Sequence, residues 1–186
     1  MPKTETRYVK IPSRFGAATL AWMQGQEGPI VTEILLPLKA AARLDLAEGT
    51  GGHAGLDALV DAIQRYLGGQ DVPLPTDLLD ASRCPPFQWS VLMAERTIPR
   101  GFVTSYRRLA THVGHPQAYR AVGTALARNP FPLVIPCHRT VRGDGSLGGF
   151  GGGLPMKRAL LEMEGVGFDA PGRVRSEFFW DWPLAR

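Results

Sequence analysis

A proline-rich segment near the middle of the chain restricts the fold more than any other feature of the sequence. Residues 71–86 contain four prolines and lie between two stretches with regular hydrophobic patterns. Proline lacks a backbone donor and is excluded from helix interiors and central strands, so no regular element continues through this segment. The sequence therefore predicts two domains, residues 1–84 and residues 85–186, with the linker at the end of the first.

The first domain is predicted to contain a small sheet and one long helix. Residues 15–22 and 29–36 have the apolar and β-branched content of strands, with turn residues between them. A helix follows, because apolar side chains recur at helical spacing before Gly68 and Gly69 end the pattern. Those side chains are Leu56, Leu59, Val60, Ile63 and Leu67. No motif in this α/β domain indicates chemistry, and we expect it to act as a scaffold.

The second domain is predicted to be mostly helical and to contain a helix-turn-helix. A first helix is expected over about residues 87–97. Two shorter helices follow over residues 106–113 and 117–128, separated by a tight turn that contains glycine. Thr104 or Ser105 caps the first of these two helices. An α/β unit followed by a mostly helical unit is the predicted fold class.

The helix over residues 117–128 is a candidate recognition helix. It carries Arg120 and Arg128 among small residues that let a backbone approach DNA closely. The chain has a net charge of +4, but residues 1–84 sum to −2 and residues 85–186 to +6. A basic half joined to an acidic half indicates contact with a polyanion. The alternatives to this interpretation are an ordinary helical hairpin and an ordinary solvated surface.

The cysteine and histidine content argues against disulfides and zinc. Only Cys84 and Cys137 are present, and the four histidines lack the spacing of metal ligands. No apolar stretch is long enough to cross a bilayer, and the N-terminus lacks the apolar core of a signal peptide. We therefore expect a cytoplasmic protein that holds no metal and does not contact membranes.

Cys137 is the best candidate for a reactive group. It follows Pro136 at the end of an apolar run and precedes His138. A cysteine among apolar residues is usually a small buried hydrophobe, but here a base is adjacent to it. Only the thiolate attacks carbon, and lowering the thiol pKa by about three units requires ~4 kcal/mol. His138, oriented by Glu164, supplies this stabilisation or acts as the base itself, with a water bridging His138 and Cys137.

A glycine-rich stretch over residues 143–153 follows the cysteine. Residues 143–148 match Gly-x-Gly-x-x-Gly, but no strand-to-helix junction follows directly and no Gly-Lys-Ser/Thr is present, so nucleotide binding is rejected. Glycines allow a flat ligand to approach the backbone closely. We expect this stretch to form a flap beside Cys137.

Several ordered motifs of the second half resemble the O6-alkylguanine-DNA alkyltransferase family. The resemblance runs from about Phe87 to Glu164 and is looser in the first domain. Its strongest element is the run from Ile135 to Arg139, Ile-Pro-Cys-His-Arg. The supporting motifs are Thr104-Ser105-Tyr106, Tyr119-Arg120-Ala121-Val122-Gly123, Asn129-Pro130 and Leu160-Leu161-Glu162-Met163-Glu164-Gly165.

The resemblance implies a role for each matching residue. Cys137 accepts the alkyl group and is activated through water by His138, which Glu164 holds in place. Tyr106 lies at the pocket, helps to rotate the nucleotide out of the helix, and hydrogen-bonds the guanine ring. Arg120 enters the duplex and fills the gap left by the extruded base.

The resemblance also implies a pocket and a DNA-contacting surface. Asn129 braces the turn that joins the recognition helix to the strand of the cysteine. The pocket residues are Tyr106, Pro132, Phe150 and Gly151. The residues expected to contact DNA are Arg107, His115, Ala118, Arg120, Thr124 and Arg128. The implied partner is double-stranded DNA that contains O6-alkylguanine, bound by a monomer that uses no cofactor and does not regenerate its cysteine.

Two positions depart from the family pattern, and three other functions compete with this interpretation. Thr140 stands where valine is usual, and Gly151 stands where some members carry a side chain. A binding-only alkyltransferase-like protein would lack the acceptor cysteine. A helix-turn-helix transcription regulator would leave the Pro-Cys-His-Arg cluster unexplained, and a cysteine hydrolase would turn over an acyl substrate.

Overall fold

The computed structural model describes residues 5–40, 52–170 and 172–182. The chain groups into two compact units, of which the first comprises Met1–Arg83 and Pro130–Val134. The second comprises Cys84–Asn129 and Ile135–Arg186. A small sheet accompanied by helices makes up a mixed α/β fold, which confirms the predicted class. Within the described ranges, no helix combines the length and apolar character needed to cross a membrane.

The first unit contains a three-stranded antiparallel sheet in the order β1-β2-β3. The strands are β1 (Arg7–Ile11), β2 (Ala18–Gln24) and β3 (Pro29–Leu35), and a bulge interrupts the β2–β3 register between Ala21 and Trp22. Strands β2 and β3 were predicted to within a few residues. β1 was missed, although its alternation of Tyr8 and Lys10 with Val9 and Ile11 has the period of a strand.

The helices of the first unit are α1 (Pro37–Ala40) and α2 (Ala54–Leu67). The predicted inward face of α2 is buried at Leu56, Leu59, Ile63 and Leu67, and Val60 is half-buried. The helix ends before Gly68 and Gly69, as predicted. Burial of each large aliphatic side chain stabilises the folded chain by roughly 1.5–3 kcal/mol, which fixes the orientation of α2.

The end of the predicted linker is part of the first unit. Leu79 forms a parallel bridge with Val31 of β3, and the backbone N–H of Val31 donates to Leu78 O at 2.7 Å. A 3-10 turn at Ala81–Arg83 follows. These bonds satisfy backbone groups at the edge of the sheet that would otherwise face water.

The second unit begins with α3 (Pro86–Arg96), which packs against α4 (Tyr106–His112) and α5 (Tyr119–Ala127). Proline is compatible with the first turn of α3, where its missing N–H is not needed. The side chain of Ser105 accepts the backbone N–H of Arg108 at 3.3 Å and caps α4, as predicted. Helices α4 and α5 are the predicted helix pair.

The rest of the second unit connects these helices to the C-terminal helix. Two short strands, β4 (Thr104–Ser105) and β5 (Thr140–Val141), pair in parallel, and α6 (Leu154–Met163) follows. A last 3-10 turn spans Ser176–Phe178. The buried hydrophobic cluster of this part of the unit consists of Val103, Val141, Leu161, Val166 and Val174. Leu147, Phe168, Phe178 and Phe179 pack against it.

Candidate active site

Cys137 lies on a tight turn, and the strand predicted for it is wrong. Pro136 has φ −81° and ψ 60°, and the N–H of Cys137 donates to Ile135 O at 2.8 Å, which is the geometry of an inverse γ-turn. A 3-10 turn over Cys137–Arg139 continues directly from it. The proline ring fixes φ and turns the chain, so the apolar run before it does not continue as a strand.

Asn129 lies just after α5 and is bonded to the same turn. Its side-chain Nδ2 donates to Ile135 O at 2.9 Å, and its amide also hydrogen-bonds the thiol of Cys137. One side chain therefore contacts both the backbone ahead of the cysteine and the sulfur itself. This position agrees with the bracing role expected for Asn129.

A cavity of about 360 Å³ opens at Cys137, which is half-buried. Its wall combines side chains of α4 and α5 with the glycine-rich stretch. The lining residues are Tyr106, Gly123, Leu126, Ala127, Cys137, Gly149, Phe150 and Gly151. Three of the four predicted pocket residues are among them. Pro132 is buried and is absent from this lining, so its place in the substrate pocket stays a prediction.

The hydroxyl of Tyr106 lies against the backbone of Gly148. A Cβ at Gly148 would stand 2.8 Å from this oxygen, and Gly148 has φ +67°, a conformation that favours glycine. The absence of a side chain at Gly148 therefore fixes where the Tyr106 ring sits in the cavity. Gly148 belongs to residues 143–153, the stretch predicted to form a flap beside Cys137.

His138 and Glu164 form a buried pair beside the cysteine. His138 is fully buried, and its Nε2 lies 3.1 Å from Glu164 Oε1. A carboxylate only accepts, so Nε2 carries the hydrogen and Nδ1 is the basic ring nitrogen. Glu164 is the residue that ends α6, and α6 thus brings together two groups that are 26 residues apart.

Arg139, for which no role was predicted, binds the Glu164 carboxylate of this pair. Its Nε donates to Glu164 Oε2 at 2.8 Å and its Nη2 to Oε1 at 2.7 Å, while Nη1 donates to Ile98 O at 2.8 Å. Such a two-point contact orients a carboxylate more strictly than a single bond. The available signals were its position two residues after the cysteine and its place in the Ile-Pro-Cys-His-Arg motif.

The electrostatics favour a neutral thiol at rest. Burial raises the pKa of Cys137 to about 11, although the hydrogen bond from Asn129 opposes this shift. Burial also lowers the pKa of His138, with Glu164 opposing. Burial disfavours ionisation of Glu164 as well, but His138 and Arg139 hold the pKa of that carboxyl well below its usual range. Of the two predicted routes to a thiolate, proton transfer to a histidine base fits this site.

The protein-family model of the 6-O-methylguanine DNA methyltransferase DNA-binding domain matches residues 86–166 of this chain. A methylated-DNA–protein-cysteine methyltransferase of Mycobacterium tuberculosis is 35% identical over 157 residues, which cover 84% of this chain and 91% of the relative. The chain belongs to this methyltransferase family. A methyltransferase of the same name from Methanothermobacter thermautotrophicus is 44% identical over 111 residues, 60% of this chain and 62% of the relative. The crystal structure of Mycobacterium tuberculosis OGT in complex with DNA is similar with a TM-score of 0.67 and 34% identity, covering 86% of this chain and 92% of that one.

The helix-turn-helix of this methyltransferase presents most of the residues expected at DNA. The exposed ones are Arg107, His115, Arg120, Thr124 and Arg128, and Ala118 is half-buried. Arg107 and Arg120 both lie over the ring of Tyr119, with guanidinium-to-centroid distances of 5.6 and 5.8 Å. The sequence analysis gave Tyr119 no individual role, and this ring now links two of the predicted contact residues.

Two buried charged residues of this methyltransferase were also missed. Glu95 and Lys157 are fully buried, and both are connected to Thr140, which the sequence analysis noted only as a departure from the family. A signal existed in the helical pattern. Glu95 follows Val91 and Leu92 on the apolar face of α3, and a charge on such a face is rarely buried without a partner.

The remaining cysteine and histidines are not grouped as metal ligands in the part of the chain that the structure describes. Cys84 is a buried cysteine. Over the described ranges, no group of three or more His, Cys, Asp or Glu side chains is arranged to hold a metal ion.

Proposed function

We propose that the protein repairs DNA by direct reversal, transferring an alkyl group from the O6 of alkylated guanine to Sγ of Cys137. The observation that carries the proposal is a half-buried cysteine that opens onto a cavity and adjoins a buried His138–Glu164 pair. The cavity volume of about 360 Å³ falls in the range of small-ligand sites. The names of the relatives support the same substrate class.

The site supplies the proton transfer that this reaction needs. His138 takes the thiol proton through Nδ1, with a water bridging the two groups, and Glu164 stabilises the imidazolium that forms. Sγ then attacks the alkyl carbon, so an S–C bond forms as the C–O6 bond breaks. The bonding pair of the broken bond stays on guanine, which recovers a proton. Guanine gains a proton and the sulfur gains the alkyl group, so the reaction balances without a cofactor.

The helix-turn-helix brings the lesion to the cysteine in this proposal. Arg120 fills the stack as the base rotates out, while Tyr106, Phe150 and Gly151 surround the base in the cavity. The exposed arginines on α4 and α5 contact phosphates. The mycobacterial relative was crystallised with DNA, which supports duplex DNA as the partner.

Every residue that lines the cavity belongs to the second unit of one chain, so the proposed reaction requires no second copy. We therefore propose that the protein acts as a monomer. Sedimentation equilibrium in the presence of a lesion-containing duplex should give a complex with one chain per lesion.

Intact-protein mass spectrometry with an O6-methylguanine duplex tests the function directly. Each chain should gain one methyl group, on the peptide that contains Cys137, because a thioether is a poor leaving group and the reaction cannot repeat. Cys137→Ser should gain none and still bind DNA, while Cys84→Ser serves as the control and should react as the wild type does. An unchanged mass would favour a binding-only protein, and repeated turnover would favour a hydrolase.

A further inference from the structure

The second unit contains a buried polar network that the proposed reaction does not use. Glu95 on α3, Thr140 on β5 and Lys157 on α6 are each fully buried. The network lies next to the reactive turn in the chain, since Thr140 directly follows the 3-10 turn Cys137–Arg139. Buried charged groups near a reactive site are candidates for a functional role.

The three residues are joined through the two oxygens of Thr140. The hydroxyl of Thr140 donates to Glu95 Oε2 at 2.5 Å, and Lys157 Nζ donates to the backbone carbonyl of Thr140 at 2.6 Å. Lys157 Nζ also donates to Gly149 O at 3.3 Å, and Gly149 lines the cavity. The network therefore runs from α3 through Thr140, which directly follows the cysteine turn, to the wall of the cavity.

Stability alone does not account for Glu95. Its second oxygen, Oε1, is buried and makes no hydrogen bond to any residue that the structure describes. An ionised carboxyl in this position is costly, and a buried ion pair is often no better for stability than apolar residues of the same size. A leucine and a valine would fill the same space at lower cost, so the carboxyl calls for a different explanation.

Charges on several elements act on Glu95 and on the cysteine. Burial raises the pKa of Glu95 to about 7, opposed by the Thr140 hydrogen bond and by the charges of Lys157 and Arg139. Burial lowers the pKa of Lys157 to about 8. After burial and the Asn129 bond, the next influences on Cys137 are Glu95, which raises the thiol pKa, and Lys157, which lowers it.

We propose that Glu95, held by Thr140 and linked through it to Lys157, is a positioning residue that keeps Cys137 a protonated thiol until a substrate occupies the cavity. Lys157 alone would favour the thiolate, and the carboxylate of Glu95 offsets it. A protein that uses its acceptor once is inactivated by any stray electrophile, so a neutral resting thiol protects it. This inference rests on the proposed function, because the restraint matters only for a single-use cysteine.

The rate of Cys137 alkylation by iodoacetamide, resolved by peptide mass and measured from pH 6 to 12 without DNA, tests the inference. Glu95→Gln keeps the shape of the side chain and removes its charge. We expect the midpoint of the Cys137 profile to move down, and the rate at pH 7 to rise roughly three- to tenfold. Glu162→Gln, an exposed residue of α6, is the matched control and should leave the profile unchanged.

Two further measurements keep the outcome interpretable. Should Glu95→Gln fail to fold, the double variant Glu95→Leu, Thr140→Val replaces the hydrogen-bonded pair by apolar groups and should lower the midpoint in the same way. A purely structural role for Glu95 would change the melting temperature and not the midpoint. A folded variant with the wild-type midpoint overturns the inference. Methyl transfer to the wild type from an O6-methylguanine duplex is measured in parallel, and its failure would overturn the proposed function alone.

Discussion

Glu164 stays ionised through the neutral range because Arg139 and His138 compensate its charge in a buried site. That charge is what makes His138 a useful base, since it stabilises the imidazolium formed when the thiol loses its proton. Glu164→Gln should therefore slow transfer by roughly 10²-fold at pH 7.5 while the variant still binds DNA. Single-turnover rates with an O6-methylguanine duplex measure the effect. Glu162→Gln is the control, and a wild-type rate in folded Glu164→Gln would contradict the relay.

Gly148 fixes Tyr106 by having no side chain. In Gly148→Ala the new Cβ would meet the Tyr106 hydroxyl at 2.8 Å in a backbone conformation that alanine adopts with strain. The ring must move away from Gly148 and change the shape of the cavity that it lines, so we expect the rate with free O6-benzylguanine to fall at least tenfold. Gly143→Ala is the control, because a Cβ there meets no atom within 4 Å. Equal rates for the two variants would show that the position of Tyr106 does not matter.

Glu95 gives the folded protein an unusual dependence on pH. The pKa of Glu95 rises from 4.5 to about 7 on folding. Its contribution to the free energy of unfolding is therefore fully favourable below pH 4.5 and is lost as the pH rises through 7. Glu95→Gln lacks this loss and should be more stable than the wild type at pH 8 by up to about 3 kcal/mol. At pH 4.5 the difference should vanish. Urea unfolding at both pH values measures it, and a constant difference would mean that Glu95 does not titrate in this range.

At the scale of elements, the longer helices were predictable, whereas the four-residue helix α1 and the strands β1, β4 and β5 were not. The ends of α2 and α4 follow from local signals, a glycine pair after Leu67 and a serine cap at Ser105. Strands β4 and β5 have two residues each, too few for any period to be visible. The strand predicted at Cys137 was wrong because Pro136 turns the chain there.

The site could be predicted only where its residues carry a motif. Cys137 and His138 are adjacent in sequence, and Glu164 was named as the residue that orients His138 before the family resemblance gave it the same role. Glu95 and Lys157 meet Thr140 across 45 and 17 residues, so their association depends on tertiary packing. A charged residue on an apolar helix face signals that it has a partner without indicating which one.

A substitution on helix α5 can distinguish the base-extrusion step from the alkyl-transfer step. Arg120 is exposed on this helix and lies over the ring of Tyr119 at 5.8 Å. Extruding a paired guanine costs a few kcal/mol, and free O6-benzylguanine carries no such cost. Arg120→Ala should slow single-turnover repair of a saturating duplex far more than it slows reaction with the free base. Arg128→Ala, at the end of the same helix, should change affinity and spare both rates. An unaffected saturating rate for Arg120→Ala would make Arg120 a phosphate contact only.

Over the whole molecule, charge is divided unequally between the two halves of the chain. The net charge is −2 over residues 1–84 and +6 over residues 85–186, and the exposed arginines of the helix-turn-helix belong to the basic part. Each phosphate contact releases counterions, so log affinity falls with log salt with a slope of roughly −0.9 per contact. The slope thus counts the contacts made by the intact protein.

Substituting individual basic side chains shows which of them contact phosphates. Arg128→Gln should reduce the magnitude of the salt slope by about one and weaken binding equally on any sequence. Lys39→Gln removes one charge from an exposed position in the first unit and should leave the slope unchanged. Fluorescence anisotropy with an undamaged duplex from 50 to 200 mM salt, a range over which about six to ten such contacts together change affinity by roughly 10³–10⁵-fold, measures both. A loss of slope in Lys39→Gln but not in Arg128→Gln would assign the DNA surface to the first unit, against the charge distribution.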